Sequence, residues 1–232
     1  MKKPMVDYRK FRLSKINDPE FSHLKLLLGW VGYFALYFIT ENFIPTERCY
    51  VVHCWLDDVI PFNEVFVIPY VFWYLLIVVS LLYLALYNVD NFKNLMTFII
   101  ITQVVAMAIY IAFPNRQDLR PVEFPRDNVL SQLVGLLYSF DTNTNVCPSL
   151  HVAYSLGIAS TWLKEKSASV PWKVFVVIAV ILICLSTAFI KQHSVVDAFV
   201  AIPVCILAEI IVFGKSYWKP RLKKVLTGES YS

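Results

Sequence analysis

The chain has 232 residues, of which 58% are hydrophobic and 16% charged, with six Gly against 17 Phe and 13 Tyr. Soluble domains carry about 25% charged residues and disordered chains few aromatics, so disorder is excluded and a soluble globule would have too much apolar surface to cover. The net charge of +4 is small and gives no sign of a nucleic-acid partner.

A membrane-crossing helix needs about 20 mainly apolar residues, and six runs approach that requirement. The first covers residues 24–44, with Lys25 and Glu41 near its ends, and the second covers 65–87 without a charge. The third, 94–113, is also uncharged. Residues 129–140 form a twelve-residue apolar stretch after Asp127-Asn128. It is too short to span and is expected to be an interfacial or re-entrant helix. The fourth run, 149–163, is short and contains His151. The fifth covers 172–190, and the sixth covers 194–213 with Asp197 and Glu209 inside it. Tyr70, Trp73, Tyr87, Trp162, Trp172, Tyr217 and Trp218 lie near predicted ends, as interfacial rings do. No linker or internal repeat divides the chain. The expected fold is all-α and polytopic: one membrane-embedded domain over residues 1–232, a six-transmembrane-helix bundle with a short interfacial helix. Basic tails at 1–23 and 214–232 flank it, and the first is read as an uncleaved anchor.

Lys and Arg set the expected orientation. Sixteen of the 21 fall on the side of the two tails, and five (Arg48, Arg116, Arg120, Arg126 and Lys191) fall on the other. Both termini are therefore expected in the cytoplasm of a multi-pass membrane protein, with a bacterial cell membrane the expected location. The bilayer is the expected partner of the tails.

Three polar segments are expected to share the opposite side, where a six-helix bundle can bring them together: Arg120-Pro121, Pro148-Ser149-Leu150-His151, and His193 with Asp197. His193 and Asp197 are four apart, which on a helix puts them on one face. Asp197 can then accept from one ring nitrogen of His193 and leave the other as nucleophile or base. The plainer reading of such a pair is a cap at a helix start. A carboxylate within a span costs roughly 2.5–3.5 kcal/mol at the centre and less near an end, which favours the functional reading. Pro148 suits the first position of a helix, whose start with the Ser149 hydroxyl would suit a phosphate. His151, one turn inside, can serve as a proton donor. Arg120, Arg116 and Lys191 supply cations on the same side, Arg suiting bidentate phosphate contacts. Arg126 is read as a solvated loop residue. Nucleophilic His, orienting Asp, second His, Ser and cations form the set that phosphoryl transfer through a phosphohistidine requires.

These residues resemble the three blocks of the type 2 phosphatidic acid phosphatase superfamily, the integral-membrane lipid phosphate phosphatases. The family pattern is Lys-x6-Arg-Pro, Pro-Ser-Gly-His, and Ser-Arg-x5-His-x3-Asp. Here the blocks read FPNRQDLRP, CPSLH and STAFIKQHSVVD, supplying Arg120-Pro121, then Pro148, Ser149 and His151, then Ser186, His193 and Asp197. Phe113 stands where the family has Lys, Leu150 where it has Gly, and Thr187 where it has Arg. Arg116 and Lys191 are the expected replacements for the two absent cations. The Ser-Leu-His and Lys-Gln-His variants are also similar to the branch with inositol phosphorylceramide synthase-like proteins, which transfer a phosphorylated headgroup between lipids.

The resemblance implies that His193 attacks phosphorus, Asp197 orients it, and His151 protonates the leaving group and then activates the acceptor. It implies that Arg120, Ser149 and Lys191 hold the phosphoryl oxygens, with Arg116 and Ser186 in support. The chain shows no credible cluster of outer carboxylates for a metal, so neither metal nor cofactor is expected. Three functions compete: a lipid phosphate or diphosphate phosphatase, a lipid headgroup phosphotransferase, and a non-catalytic membrane binding or transport protein. Cys49, Cys54 and Cys147 share the outer side, which leaves a disulfide and free thiols both open. Cys184 and Cys205 are read as packing residues within spans, and Glu209 is expected to reach Lys215 or water.

Overall fold

The computed structural model describes residues 4–227. The outermost residues of both predicted tails, 1–3 and 228–232, lie outside the described residues. The protein is an all-α, multi-pass membrane bundle. Five segments are long and apolar enough to cross a bilayer: Ser22–Phe43, Glu64–Tyr87, Val89–Ala112, Val170–Phe189 and Val195–Thr227. The first opens with a 3-10 segment, Ser22–Leu27, before α1, Leu28–Phe43. A short helix follows, α2, Trp55–Val59. Next come α3, Val67–Tyr87, and α4, Val89–Ala112. The predicted twelve-residue helix is α5, Val129–Phe140, and Asn128 caps it by accepting from Leu130 N and Ser131 N.

The remaining elements are α6, Leu150–Lys164, α7, Val170–Phe189, and α8, Val195–Phe213. A π-turn, Gly214–Trp218, joins α8 to α9, Lys219–Thr227. The six expected crossings are thus five long spans and one short helix. The exception, α6, has 15 residues, about 22 Å of helix, against a hydrocarbon core of roughly 30 Å. It packs against α3, α4, α7 and α8, and ten of its residues are buried. Neighbouring helices, rather than lipid, therefore surround its polar side chains, and Thr161 Oγ1 donates to Gly157 O of the same helix at 2.8 Å. This is why it can carry His151, Ser155 and Thr161 in a membrane.

In lipid, helices associate by close packing, and small residues permit it. A Cβ on Gly157 would lie 2.6 Å from Phe98 Cδ1, so α6 approaches α4 at that point. A Cβ on Gly29 would lie 2.7 Å from Ile100 Cγ1, bringing α1 onto α4 in the same way. The third predicted span began at Asn94, whereas α4 starts five residues earlier. Asp90 and Lys93 stay at the rim, where they form a 3.6 Å ion pair.

The amino segment is not a loose solvated tail. Val6, Phe21 and His23 are buried. Tyr8 Oη donates to Ala85 O at 2.9 Å and lies 2.7 Å from His23 Nε2. At the same end Glu209, expected to reach Lys215 or water, pairs with Lys164 at 2.7 Å. The opposite end holds the loops that carry β1 and β2. Strands β1, Tyr50–Val51, and β2, Asn115–Arg116, pair in parallel, and Arg116 also bridges Thr144. Arg126 is not simply solvated: its guanidinium makes two 2.7 Å bonds to the buried carboxylate of Glu64, joining the loop before α5 to the start of α3.

Candidate active site

The three outer segments singled out in the sequence converge where α6 and α8 begin. Ser149 caps α6, its Oγ accepting from Val152 N at 3.4 Å. Pro148 therefore lies one residue outside the cap rather than at the first helical position. Ser194 and Asp197 form a capping box at the start of α8, a local way to satisfy the orphan donors of a helix start. The two starts are joined by Ser149 N donating to Asp197 O at 3.1 Å. Tyr110 Oη donates to Pro148 O at 2.7 Å and fixes the segment from behind.

Within this frame the two histidines meet. His193 Nδ1 lies 3.0 Å from Asp197 Oδ2 and 3.1 Å from Val146 O. Both partners are acceptors, so Nδ1 carries the proton and Nε2 keeps its lone pair. His151 Nδ1 lies 3.2 Å from that Nε2, which assigns a proton to His151 Nδ1. His151 is wedged between Trp73 and Tyr70, with ring centroids 4.1 and 4.5 Å away. Both histidines and Asp197 are buried. An oriented imidazole with an available lone pair, next to a second imidazole carrying a proton, has the chemistry to serve as a nucleophile beside a general acid.

The cations are arranged differently from the expectation. Arg120 donates to Tyr138 O at 3.1 Å, to Asp141 O, and to Gln192 Oε1 at 2.8 Å. Its guanidinium also lies 4.3 Å from the centre of the Tyr138 ring, and burial pushes it below its ordinary pKa. It stands one residue behind the histidines, with Gln192 between. Lys191 does not reach the site. Its Nζ donates to Asp57 O at 2.6 Å and to Ile60 O at 2.5 Å, and burial pushes its pKa down. Lys191 is also left-handed, with φ 55°, at the end of α7 where Gly is usual. That backbone aims the side chain at the carbonyls ending α2. Arg116 turns instead to Asp118, at 3.2 Å, and to Thr46 O, at 2.8 Å. Ser186 Oγ donates to Ile183 O within its own helix at 2.6 Å.

Lys191→Ala is accordingly expected to cost stability. Hydrogen bonds to a charged group contribute about 1.5–3 kcal/mol each, so a loss of roughly 2–4 kcal/mol in the thermal melt is expected, with KM for a lipid phosphate changed by less than about twofold. An unchanged melt with a raised KM would return Lys191 to the phosphate.

Asp57 has no place in the sequence pattern, yet it organises the loop that carries His193. Its carboxylate accepts from Ser194 Oγ at 2.6 Å, Val195 N at 2.8 Å and Cys54 N at 2.8 Å. Burial opposes its ionisation, but these donors outweigh burial and hold the carboxyl below its ordinary pKa. The only sequence signal is Cys54-x-x-Asp57, the spacing of a capping box. Asn115 is a second organiser: its Oδ1 accepts from Val146 N at 2.9 Å and Cys147 N at 2.8 Å, placing the Val146 carbonyl that His193 uses. Cys49, Cys54 and Cys147 are free thiols, and burial pushes Cys147 up to about 12.

A cavity of about 520 Å³ opens beside the histidine pair. Its apolar part runs between α1 and α3, past Trp30, Phe34, Ile77, Val78 and Leu81. Its polar part is formed by Asp141, Thr142, Thr144, Asn145 and Gln192. The cavity is thus amphipathic along its length, with the histidines at the polar end. Comparison with protein-family models, curated proteins and solved structures gave no match.

Proposed function

We propose that the protein is an integral-membrane lipid phosphate phosphatase acting through a phosphohistidine on His193. The observation that carries this reading is the chain Asp197–His193–His151, linked at 3.0 and 3.2 Å, at the polar end of a cavity lined with apolar side chains. Asp197 holds the His193 proton on Nδ1, so Nε2 faces the incoming phosphorus. An entering phosphoryl group displaces the bond from His151, and the His151 Nδ1 proton becomes available to the departing lipid oxygen. His151 then takes a proton from the acceptor as it attacks the phosphohistidine. Gln192, which lines the cavity with the histidines and accepts from Arg120 behind it, is the group proposed to turn towards the phosphoryl oxygens. The lipid chain occupies the apolar groove. An alcohol acceptor in place of water would make the same machinery a headgroup phosphotransferase.

The direct test is to quench a reaction of purified protein with a lipid phosphate and map the modified peptide. A phosphoryl mass on His193 is the expected product. Turnover with no trace of it, under conditions that slow the acceptor step, would remove the mechanism.

The site is proposed to face away from the cytoplasm, and both termini to lie inside. Support comes from the sixteen-to-five division of Lys and Arg, the signature of cytoplasmic loops. With Cys49, Cys54 and Cys147 replaced by Ser, a membrane-impermeant thiol reagent should label Val122→Cys on intact cells. It should reach Lys166→Cys, at the other end of the bundle, only after the membrane is opened. The reverse order would invert the orientation.

A further inference from the structure

One side chain of α1 acts on the histidine pair from outside it. Glu41 lies in the last turn of α1, within the first long apolar segment. Both circumstances work against a carboxylate. The carboxyl end of a helix carries the negative pole of its macrodipole, and an ionisable group within a span is costly and marks a functional site. Donors from the loop 142–145 hold it there. Thr142 Oγ1 donates to Glu41 Oε2 at 2.6 Å, Thr144 Oγ1 donates to Oε1 at 2.7 Å, and Asn145 Nδ2 donates to Oε1 as well. All three donors are neutral. Arg116, which bridges Thr144, pairs with Asp118 instead.

The loop leads directly to His193. Asn145 is left-handed, with φ 52°, a conformation that Asn enters more readily than most residues but still at a cost. Its backbone N donates to Asn115 O at 2.8 Å, and its side chain donates to Glu41. The turn is thus fixed from β2 on one side and from α1 on the other. The next residue is Val146, whose carbonyl oxygen lies 3.1 Å from His193 Nδ1. We infer that Glu41 is a positioning residue for the nucleophile. Through Thr142, Thr144 and Asn145 it sets the direction of the Val146 carbonyl, which with Asp197 keeps the proton on His193 Nδ1.

The same bonds register the wall of the groove against the histidines. Tyr37 of α1 lines the cavity together with Thr142, Thr144, Asn145 and Val146, and its Oη lies 3.4 Å from Thr142 Oγ1. α1 packs mainly on α4 and on the 3-10 segment before it, and of its residues Thr40 alone is buried. Thr40 Oγ1 accepts from Asn145 Nδ2 at 3.3 Å, beside the Glu41 carboxylate. The carboxyl end of α1 is therefore seated on the loop by hydrogen bonds, where the rest of the helix is seated by packing.

This inference rests on the proposed role of His193 as nucleophile, but its first readout does not depend on turnover. Full-length protein labelled with 15N-histidine, in a non-ionic detergent, gives a His193 Nδ1–H resonance, assigned by its loss in His193→Ala. Glu41→Ala should shift this resonance and speed its exchange with water by about tenfold, the weight of one orienting hydrogen bond. Glu41→Gln should retain it, because its oxygen can accept from Thr144 and Asn145 while its amide donates to Thr142 Oγ1. With dodecyl phosphate as substrate, kcat should fall about tenfold in Glu41→Ala and less than about threefold in Glu41→Gln, with KM changed by less than about twofold in both. Thr142→Val, which removes one of the three bonds and leaves α1 intact, should give the same changes to a smaller degree.

An unmoved resonance in Glu41→Ala, with only the thermal melt lowered, would overturn the inference. So would a Glu41→Gln protein as impaired as Glu41→Ala, which would make the charge and not the bonds the agent. If Glu41→Ala does not fold, an unchanged resonance in Thr142→Val overturns it equally. A resonance that responds as expected, in a protein whose His193→Ala variant still turns over lipid, would keep the positioning role and remove the phosphohistidine reading.

Discussion

His193→Ala is expected to abolish turnover while the bundle stays folded. Removing a catalytic nucleophile costs on the order of 10⁵-fold or more in kcat, because the binding of substrate that remains cannot substitute for the missing covalent step. The imidazole touches Asp197, Val146 O and His151; the last two cross to the start of α6, but Ser149 N donating to Asp197 O holds the two helix starts together without the ring. Asp197 keeps Ser194 N as a partner at 3.0 Å. Circular dichroism and a thermal melt should therefore move little while product formation falls to background. A variant with a tenth of wild-type activity, well folded, would show that another group attacks phosphorus.

Asp197→Asn is expected to have the second largest effect. His193 Nδ1 and Ser194 N both meet Asp197 Oδ2 at 3.0 Å, so an Asn oxygen in that place keeps both bonds and the start of α8 survives. What is lost is the negative charge that stabilises the imidazolium as Nε2 attacks. Removing one such electrostatic partner costs about 10²–10³ in kcat, and a loss of that size is expected here. Because the defect lies in charge and not in contact, KM should change little. A small effect on kcat would mean that Asp197 serves only to orient the ring.

The histidines and Asp197 were legible because their arrangement is mostly local. The spacing of four was expected to lie on one helix; His193 in fact stands one residue before the Ser194 cap, and the turn into α8 brings it to Asp197, while a helix start defines Ser149 and His151. The spans were legible because apolar length is what a bilayer demands. The cations were not legible, since a loop charge goes where backbone carbonyls lie. Lys191 answers to the end of α2, 131 residues earlier in the chain. Asp57 meets Ser194 across 137 residues, a contact that no spacing encodes. Asp141 and Gln192 look like ordinary loop residues until α5 folds back and the Arg120 guanidinium gathers them. The interior position of α6 was hidden for a related reason: a short, half-polar run has the same composition at a bundle's centre as at its edge.

That interior position bears on how the chain is made. On leaving the ribosome, α6 is too short and too polar to remain in lipid unaided, and its best packing partner, α7, has yet to emerge. The two are joined by the brief turn 165–169, where Glu165 accepts from Asn88 and Asn91 at the start of α4. α6 and α7 must therefore enter the membrane as a hairpin, drawn in by the apolar helix and locked onto α4 as the turn arrives. A nascent chain halted before α7 would leave α6, and His151 with it, outside the bilayer.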